Sequence, residues 1–124
     1  MTDLVTLDDA RNHLRTDRAA DDAWLTVWIT AISQAVALWL KDDWRLYEPS
    51  GLVDSNDDPI PLEDSNGLVV RMVVKAAVLV ELAQQYRFRD GSGAAAVPAH
   101  WGHGYTLGAG ATSLLTPLRK STVA

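Results

Sequence analysis

Two segments with a helical spacing of apolar residues constrain the fold of this chain more than any other feature. They cover residues 22–42 and 66–89, and their apolar side chains recur at intervals of three and four. This spacing places them on one face of an α-helix. In the first segment they are Leu25, Trp28, Ile29, Ile32, Ala35, Val36, Trp39 and Leu40. In the second they are Val69, Val70, Met72, Val73, Ala76, Ala77, Leu79, Val80, Ala83 and Tyr86.

The expected helix ends carry suitable capping residues. Thr6, followed three residues later by Asp9, predicts a capping box at the start of a short helix over residues 6–14. Asp64 or Ser65 is the expected N-cap of the second long helix, and Gly91 is its expected left-handed C-cap. The solvent side of that helix is predicted to hold Arg71, Lys75, Glu81, Gln84, Gln85 and Arg87.

The remaining segments lack a helical period. Residues 45–65 predict a loose hairpin or an extended loop, in which Pro59 and Pro61 confine any strand to a sheet edge. Residues 91–110 are rich in glycine, alanine and aromatic side chains, which favours an ordered arm or a loop that orders on contact. Residues 113–120 predict one or two helical turns.

These segments together predict an all-α fold. We expect a small helical bundle with two long amphipathic helices, an irregular or hairpin-like middle loop and a C-terminal arm. The helical core would cover residues 1–90, and a Gly/Ala-rich arm with a short C-terminal helix would cover residues 91–124. The tryptophans of the first long segment, Trp24, Trp28 and Trp39, either fill the core or lie at a subunit interface, where tryptophan is enriched.

Length and composition favour one soluble cytosolic domain. The chain has 124 residues and no cysteine, so it has neither a disulfide framework nor a thiolate metal site. Its first residues lack the basic start and apolar run of a signal peptide. No stretch reaches the roughly 18 uninterrupted apolar residues of a membrane span. We therefore expect no membrane partner.

The net charge of -5 is unevenly divided along the chain. Residues 1–64 carry 14 acids and 5 bases, whereas residues 65–124 carry 2 acids and 6 bases. An acidic half disfavours general nucleic-acid binding, because phosphate affinity comes from lysine and arginine. The asymmetry either keeps a small domain soluble or lets copies of the chain meet through faces of opposite sign.

Catalytic motifs are poorly represented. There is no Gly-x-Ser-x-Gly elbow, no Walker phosphate loop and no dinucleotide fingerprint. The acidic run from Asp54 resembles a calcium loop, but Pro59 and Ser65 stand where that loop needs glycine and glutamate. His100 and His103 supply only two metal ligands, without acids close by. We therefore expect a protein that is not an enzyme and holds no metal or cofactor.

One group of basic and aromatic residues suggests a binding role. It consists of Arg87, Phe88 and Arg89, joined by Arg71, Lys75, Arg119 and Lys120. Phosphate contact is one interpretation, but the arginine pair is also suited to bidentate contact with carboxylates of a neighbouring chain. The partner-binding candidates are Arg87, Arg89, Trp101, Leu114, Leu115, Leu118 and Arg119.

Five motifs in order resemble the head–tail connector (adaptor) family of long-tailed bacteriophages. The first is the opening LVTLDDARNHLR of residues 4–15, and the second is an acidic stretch, Asp17 to Asp22, that leads into a long helix. A proline-containing middle follows, and then a second long helix that ends in YRFRD at residues 86–90. The last is LLTPLR at residues 114–119. The segment 91–112 is longer and richer in glycine than is usual in the family.

The resemblance implies a structural role in the virion. Such proteins are made in the host cytoplasm and form a ring, generally twelvefold, beneath the portal protein at the head–tail interface. They extend the channel through which DNA passes without specific binding, and they present a platform for the stopper or tail-completion protein. The apolar and basic C-terminal segment would then be a docking arm for a larger partner.

Two other classes of function remain open at this stage. One is a small helical DNA-packaging or nucleic-acid-associated regulatory protein, which should bind duplex DNA in a salt-dependent way. The other is a metal-dependent hydrolase built around His100 and His103, which metal analysis of the purified protein would reveal.

Overall fold

The computed structural model describes residues 3–16, 19–87 and 107–119. Its helices are α1 (Leu7–Leu14), α2 (Asp22–Leu40), α3 (Met72–Arg87) and α4 (Ala109–Leu115), with 3-10 turns at Ala19–Asp21, Asp43–Leu46 and Thr116–Leu118. Its strands are β1 (Pro49–Val53), β2 (Pro59–Pro61), β3 (Glu63–Asp64) and β4 (Gly67–Leu68). The helices surround the core, and the strands form two hairpins between α2 and α3.

The expectation of an all-α fold is wrong. Of the described residues 62% are helical, but 15% lie in two small antiparallel sheets, so the fold is mixed. In the first sheet β1 pairs with β2, with Pro49 opposite Pro61, and in the second β3 pairs with β4. The middle segment is therefore the hairpin that the sequence offered as one of two alternatives. Pro59 and Pro61 lie in β2, which pairs with β1 alone.

The second long helix begins six residues later than the sequence suggests. The chain turns at Ser65 and Asn66, and Gly67 follows with a φ of 106°, which suits glycine far better than other residues. Asp64 does not cap a helix: its Oδ1 accepts a hydrogen bond from the Asn66 amide at 2.8 Å, within the turn. Val69 then donates its amide to the Leu62 carbonyl at 3.0 Å, so these residues are extended and α3 starts only at Met72.

The short first helix confirms the capping prediction. The Thr6 hydroxyl accepts from the Asp9 amide at 3.0 Å, and the Asp9 carboxylate accepts from the Thr6 amide at 3.1 Å. Ala10 is fully buried on the inner face of α1. Arg11 joins α1 to α2, because its guanidinium donates two hydrogen bonds to the Asp22 carboxylate.

The core lies where α1, α2, α3 and α4 meet. Its fully buried large side chains come from all parts of the chain and are Leu4, Leu25, Ile32, Val36, Leu40, Leu46, Val74, Val78, Leu82 and Leu115. Ser33 is also buried, and its hydroxyl accepts a hydrogen bond from the Leu4 amide at 3.0 Å. This contact fixes the N-terminal segment on α2.

Two polar residues of α3 are buried where the sequence places them in solvent. Glu81 is 1% exposed and Gln85 is 4% exposed. The Gln85 amide nitrogen donates to Glu81 Oε2 at 3.1 Å, and the Gly108 amide donates to Glu81 Oε1 at 2.8 Å. The chain at Gly108 therefore covers a helix face that the sequence pattern leaves open.

Candidate interaction surface

The outer face of α2 is uncharged and exposed. The helix has no acidic or basic residue between Asp22 and Lys41. Its exposed side chains follow a helical repeat on the side away from the core and are Ala23, Thr26, Val27, Ala31, Gln34 and Leu38. Val27 is 65% exposed and Leu38 is 79% exposed. We call these six residues the α2 stripe.

A stripe of this kind is unusual for the surface of a soluble helix, which normally carries charged residues opposite its buried face. From Ala23 to Leu38 it runs about 22 Å at 1.5 Å per residue. Lys41 is exposed just beyond its C-terminal end, beside a shallow groove that Leu38 and Gln34 help to line. The stripe has the composition of a contact surface rather than of a solvated one.

The hairpin of β1 and β2 is a second exposed apolar surface. Leu52 is 67% exposed and Val53 is 57% exposed, and Ile60 on the opposite strand is exposed as well. Four of the five residues of β1 are exposed. The turn beyond the strands is acidic, with Asp57 and Asp58 close to the tip.

The predicted C-terminal contact residues lie together, but they contact the chain's own core. Leu115 is completely buried, and Leu114 and Leu118 are partly buried against the same core. Arg119 places its guanidinium over the Trp39 ring, 4.4 Å from the centroid. While α4 is docked, Leu115 is inaccessible to a partner, and the role predicted for the other residues stays a prediction.

Polar contacts hold both ends of this C-terminal segment. At its start the Gly108 amide donates to the buried Glu81 carboxylate. At its end Arg45 Nη1 donates to the Leu118 carbonyl at 2.8 Å, while Arg45 Nε donates to Asp42 at 3.0 Å. The segment also approaches α3 closely, because a Cβ atom on Gly110 would lie 2.8 Å from a methyl group of Val80.

The other predicted site residues are placed only in part. Arg87 is exposed in the last turn of α3. Arg89 and Trp101 lie outside the described residues, as do His100 and His103. The structure therefore brings together Leu114, Leu115, Leu118 and Arg119, and it adds the α2 stripe and the β1–β2 hairpin, which the sequence analysis missed. The available signal was the run of 18 residues without a charge in α2.

The tryptophans near the start of α2 form an aromatic cluster rather than a fully buried core. Trp24 stacks on Trp28 with ring centroids 5.6 Å apart, and Tyr86 meets Trp24 edge-on at 5.5 Å. Both tryptophans are half-buried. The Tyr86 hydroxyl donates to Asp21 at 2.7 Å, so the cluster also joins α3 to the start of α2.

A catalytic role would require a cluster of metal ligands or a cleft lined by reactive side chains. Within residues 3–16, 19–87 and 107–119, no group of three or more His, Cys, Asp or Glu side chains is placed to hold a metal ion. An open cleft of about 740 Å³ lies between the N-terminal segment and the β3–β4 hairpin, and its lining includes Asp3, Glu63, Asp64 and Lys75. Its lining also includes Thr6 and Asp9, and no histidine or serine.

Two titratable groups are perturbed by their surroundings. Hydrogen bonds to Asp22 raise the pKa of the Arg11 guanidinium, which keeps the link between α1 and α2 charged. Burial, and secondarily the charge of Asp43, raises the pKa of the Tyr47 phenol. Tyr47 is also one of the residues that line the open cleft beside the N-terminal segment.

α2 is the one helix in the described residues that is long and apolar enough to cross a membrane by length and composition. The core helix of a soluble protein passes the same test, so a single helix of this kind is weak evidence. Thr30, Ser33 and Gln34 interrupt its apolar run, and its inner face packs on the core through residues such as Leu25 and Ile32.

Comparison with known proteins gives no match: neither a protein-family model, nor a curated protein, nor a solved structure is significantly similar to the chain.

Proposed function

We propose that this chain is a structural subunit of a tailed bacteriophage that assembles with copies of itself into a ring at the head–tail interface. In the virion the ring would lie between the portal protein and the stopper or tail-completion protein. It would extend the channel for DNA without binding DNA specifically. The subunit would be made in the host cytoplasm, and its function would be assembly rather than catalysis.

The exposed α2 stripe is the observation that carries this proposal. An uncharged helix face with two large apolar side chains, Val27 and Leu38, more than half exposed is suited to burial against another protein surface. The β1–β2 hairpin offers a second apolar surface of different shape and charge. A ring subunit needs two such different surfaces, because each copy contacts its two neighbours through different patches.

The ordered series of motifs from residue 4 to residue 119 supports the same role. It includes YRFRD at residues 86–90 and LLTPLR at residues 114–119, which resemble segments of phage connectors. Proximity of the gene to portal, protease and capsid genes would give independent support.

Electron microscopy of the purified chain, alone and mixed with the portal protein of the same genome, tests the proposal. We expect ring-shaped particles that stack coaxially on the portal. A monomer that binds neither itself nor the portal would contradict it. Salt-sensitive retardation of duplex DNA would instead favour the packaging or regulatory alternative.

A further inference from the structure

We propose that the β1–β2 hairpin of one copy docks on the α2 stripe of the next copy. This inference rests on the proposed ring and names its subunit contact. Leu38 and Val27 are the most exposed large aliphatic side chains of the α2 stripe. Leu52 and Val53 are the most exposed of the β1–β2 hairpin.

The hairpin lacks a covering element of its own among the described residues. Its pairing partners are only each other, and β1 is exposed at four of five positions. A two-stranded hairpin is marginal in water unless it packs on another surface. Contacts within the chain hold its base, where the Leu62 amide donates to the Glu48 carbonyl at 2.7 Å, but they leave Leu52 and Val53 exposed. Leu52 and Val53 are therefore accessible to a surface of another copy.

The hairpin is short enough to lie along the α2 stripe. The α2 stripe runs about 22 Å, at 1.5 Å per residue. From Pro49 to Val53, β1 extends about 14 Å, at about 3.4 Å per residue. One hairpin laid along one stripe would therefore cover more than half of its length.

Charge favours one direction of docking. The C-terminal end of the stripe carries the exposed Lys41, with Asp43 in the same groove, whereas its N-terminal end lies beside Asp22, and the hairpin tip carries Asp57 and Asp58. A hairpin that lies on the stripe with its tip towards Lys41 brings opposite charges together at the rim of the contact. Packing two stripes against each other would instead leave both hairpins uncovered. The contact is therefore heterologous, which is the kind that closes into rings.

Engineered cysteines test this contact cleanly because the chain contains no cysteine of its own. Leu38→Cys and Val53→Cys are made as separate proteins that carry tags of different mass. Each is oxidised at high concentration, alone and as a mixture. We expect a disulfide-linked dimer in the mixture, containing one of each protein, and no dimer of either variant alone. Ser113→Cys, exposed on α4 and outside both surfaces, is the matched control and should not link to Leu38→Cys.

Dimers of Leu38→Cys alone would overturn the inference in favour of a symmetric contact between two stripes. A double variant with Leu38→Cys and Trp101→Cys that closes an internal disulfide would overturn it too, because the chain's own segment would then cover the stripe. Rings seen by electron microscopy without the mixed dimer would overturn this contact and leave the proposed function standing. Absence of both rings and portal binding would instead contradict the proposed function.

A charge exchange gives a second readout that does not depend on disulfide geometry. Lys41→Glu should weaken self-association in sedimentation velocity, and adding Asp58→Lys to the same chain should restore it. Glu63→Lys replaces an exposed acid of β3, outside both surfaces, and serves as the control. Equal association of the rescue and control double variants would count against the docking direction.

Discussion

At the scale of single residues, the buried Glu81 carboxylate predicts a large loss of stability on substitution. It accepts hydrogen bonds from the Gly108 amide and the Gln85 side chain while 1% exposed. Glu81→Ala would leave those donors without an acceptor in the interior, which costs about 2–3 kcal/mol. Chemical denaturation should show this loss in the free energy of unfolding. Glu63→Ala, which removes an exposed glutamate in β3, should change it by less than about 0.5 kcal/mol.

The raised pKa of Tyr47 predicts that the unmodified chain and Tyr47→Phe lose stability to different extents at alkaline pH. Because burial and Asp43 raise its pKa above 10.0, the unfolded chain loses the phenol proton before the folded chain does. The stability due to neutral Tyr47 is therefore fully present below about pH 10 and is lost as the pH rises through the higher folded-state pKa. The melting temperature of Tyr47→Phe should fall less than that of the unmodified chain between about pH 8 and about pH 11. Parallel curves for the two proteins would refute this prediction.

The burial of Glu81 and Gln85 also shows where residue-level prediction from sequence stops. The helical periodicity assigned to α3 from the sequence includes the buried Ala77, but it omits the buried Val74, Val78 and Leu82 and includes Met72, which is 72% exposed. It does not reveal that the chain at Gly108 crosses the polar face of the same helix, because that contact joins residues 27 positions apart. Spacing indicates which side chains share a face, whereas burial depends on what covers that face.

At the scale of elements, the helices were largely predictable and the strands were not. Thr6 and Asp9 identify the start of α1, and the apolar repeat identifies α2 to within two residues at its end. Val69 and Val70 continue the apolar pattern of α3, yet they are extended because the Ser65–Asn66 turn pairs β3 with β4. Gly67, with its positive φ directly after the turn, favours a hairpin, and this local preference outweighs a helical repeat in so short a segment.

The β3–β4 turn predicts that replacing Gly67 lowers the free energy of unfolding. No atom lies within 4 Å of a Cβ placed on Gly67, so Gly67→Ala meets no steric obstacle. The φ of 106° is nevertheless strained for alanine, and we expect a loss of about 1–2 kcal/mol in the free energy of unfolding. Denaturant titration measures this loss. An unchanged value would mean that the β3–β4 turn contributes nothing to stability.

The docked C-terminal helix gives the second prediction at this scale. Leu115 is completely buried between α4 and the core. Leu115→Ala should lower the free energy of unfolding by about 2–4 kcal/mol and speed amide hydrogen exchange in α4. Ser113→Ala, on the exposed side of the same helix, should leave both nearly unchanged. A small effect of Leu115→Ala would indicate a weakly held arm, as the sequence suggested for residues 91–124.

At the scale of the whole molecule, the distribution of apolar surface distinguishes a partner-binding protein from a self-contained domain. The core accounts for the inner faces of α1, α2, α3 and α4, but the α2 stripe and the β1–β2 hairpin remain uncovered. The resemblance to phage connectors implies that a C-terminal docking arm makes the contact with a partner. The described part of that arm instead packs on the chain's own core, so our proposal assigns the contact to surfaces in the first half of the chain.

The charges of the whole molecule predict that it does not retain DNA. The first 64 residues have a large acidic excess, and several described arginines are already engaged: Arg11 with Asp22, Arg45 with Asp42, and Arg119 over Trp39. Nonspecific binding requires many free cations on one face, so we expect no retardation of duplex DNA even at about 50 mM salt. A mobility-shift titration at increasing salt measures this. Binding at low salt with a steep salt dependence would contradict a passive channel and support a packaging role, since each phosphate contact adds to that slope.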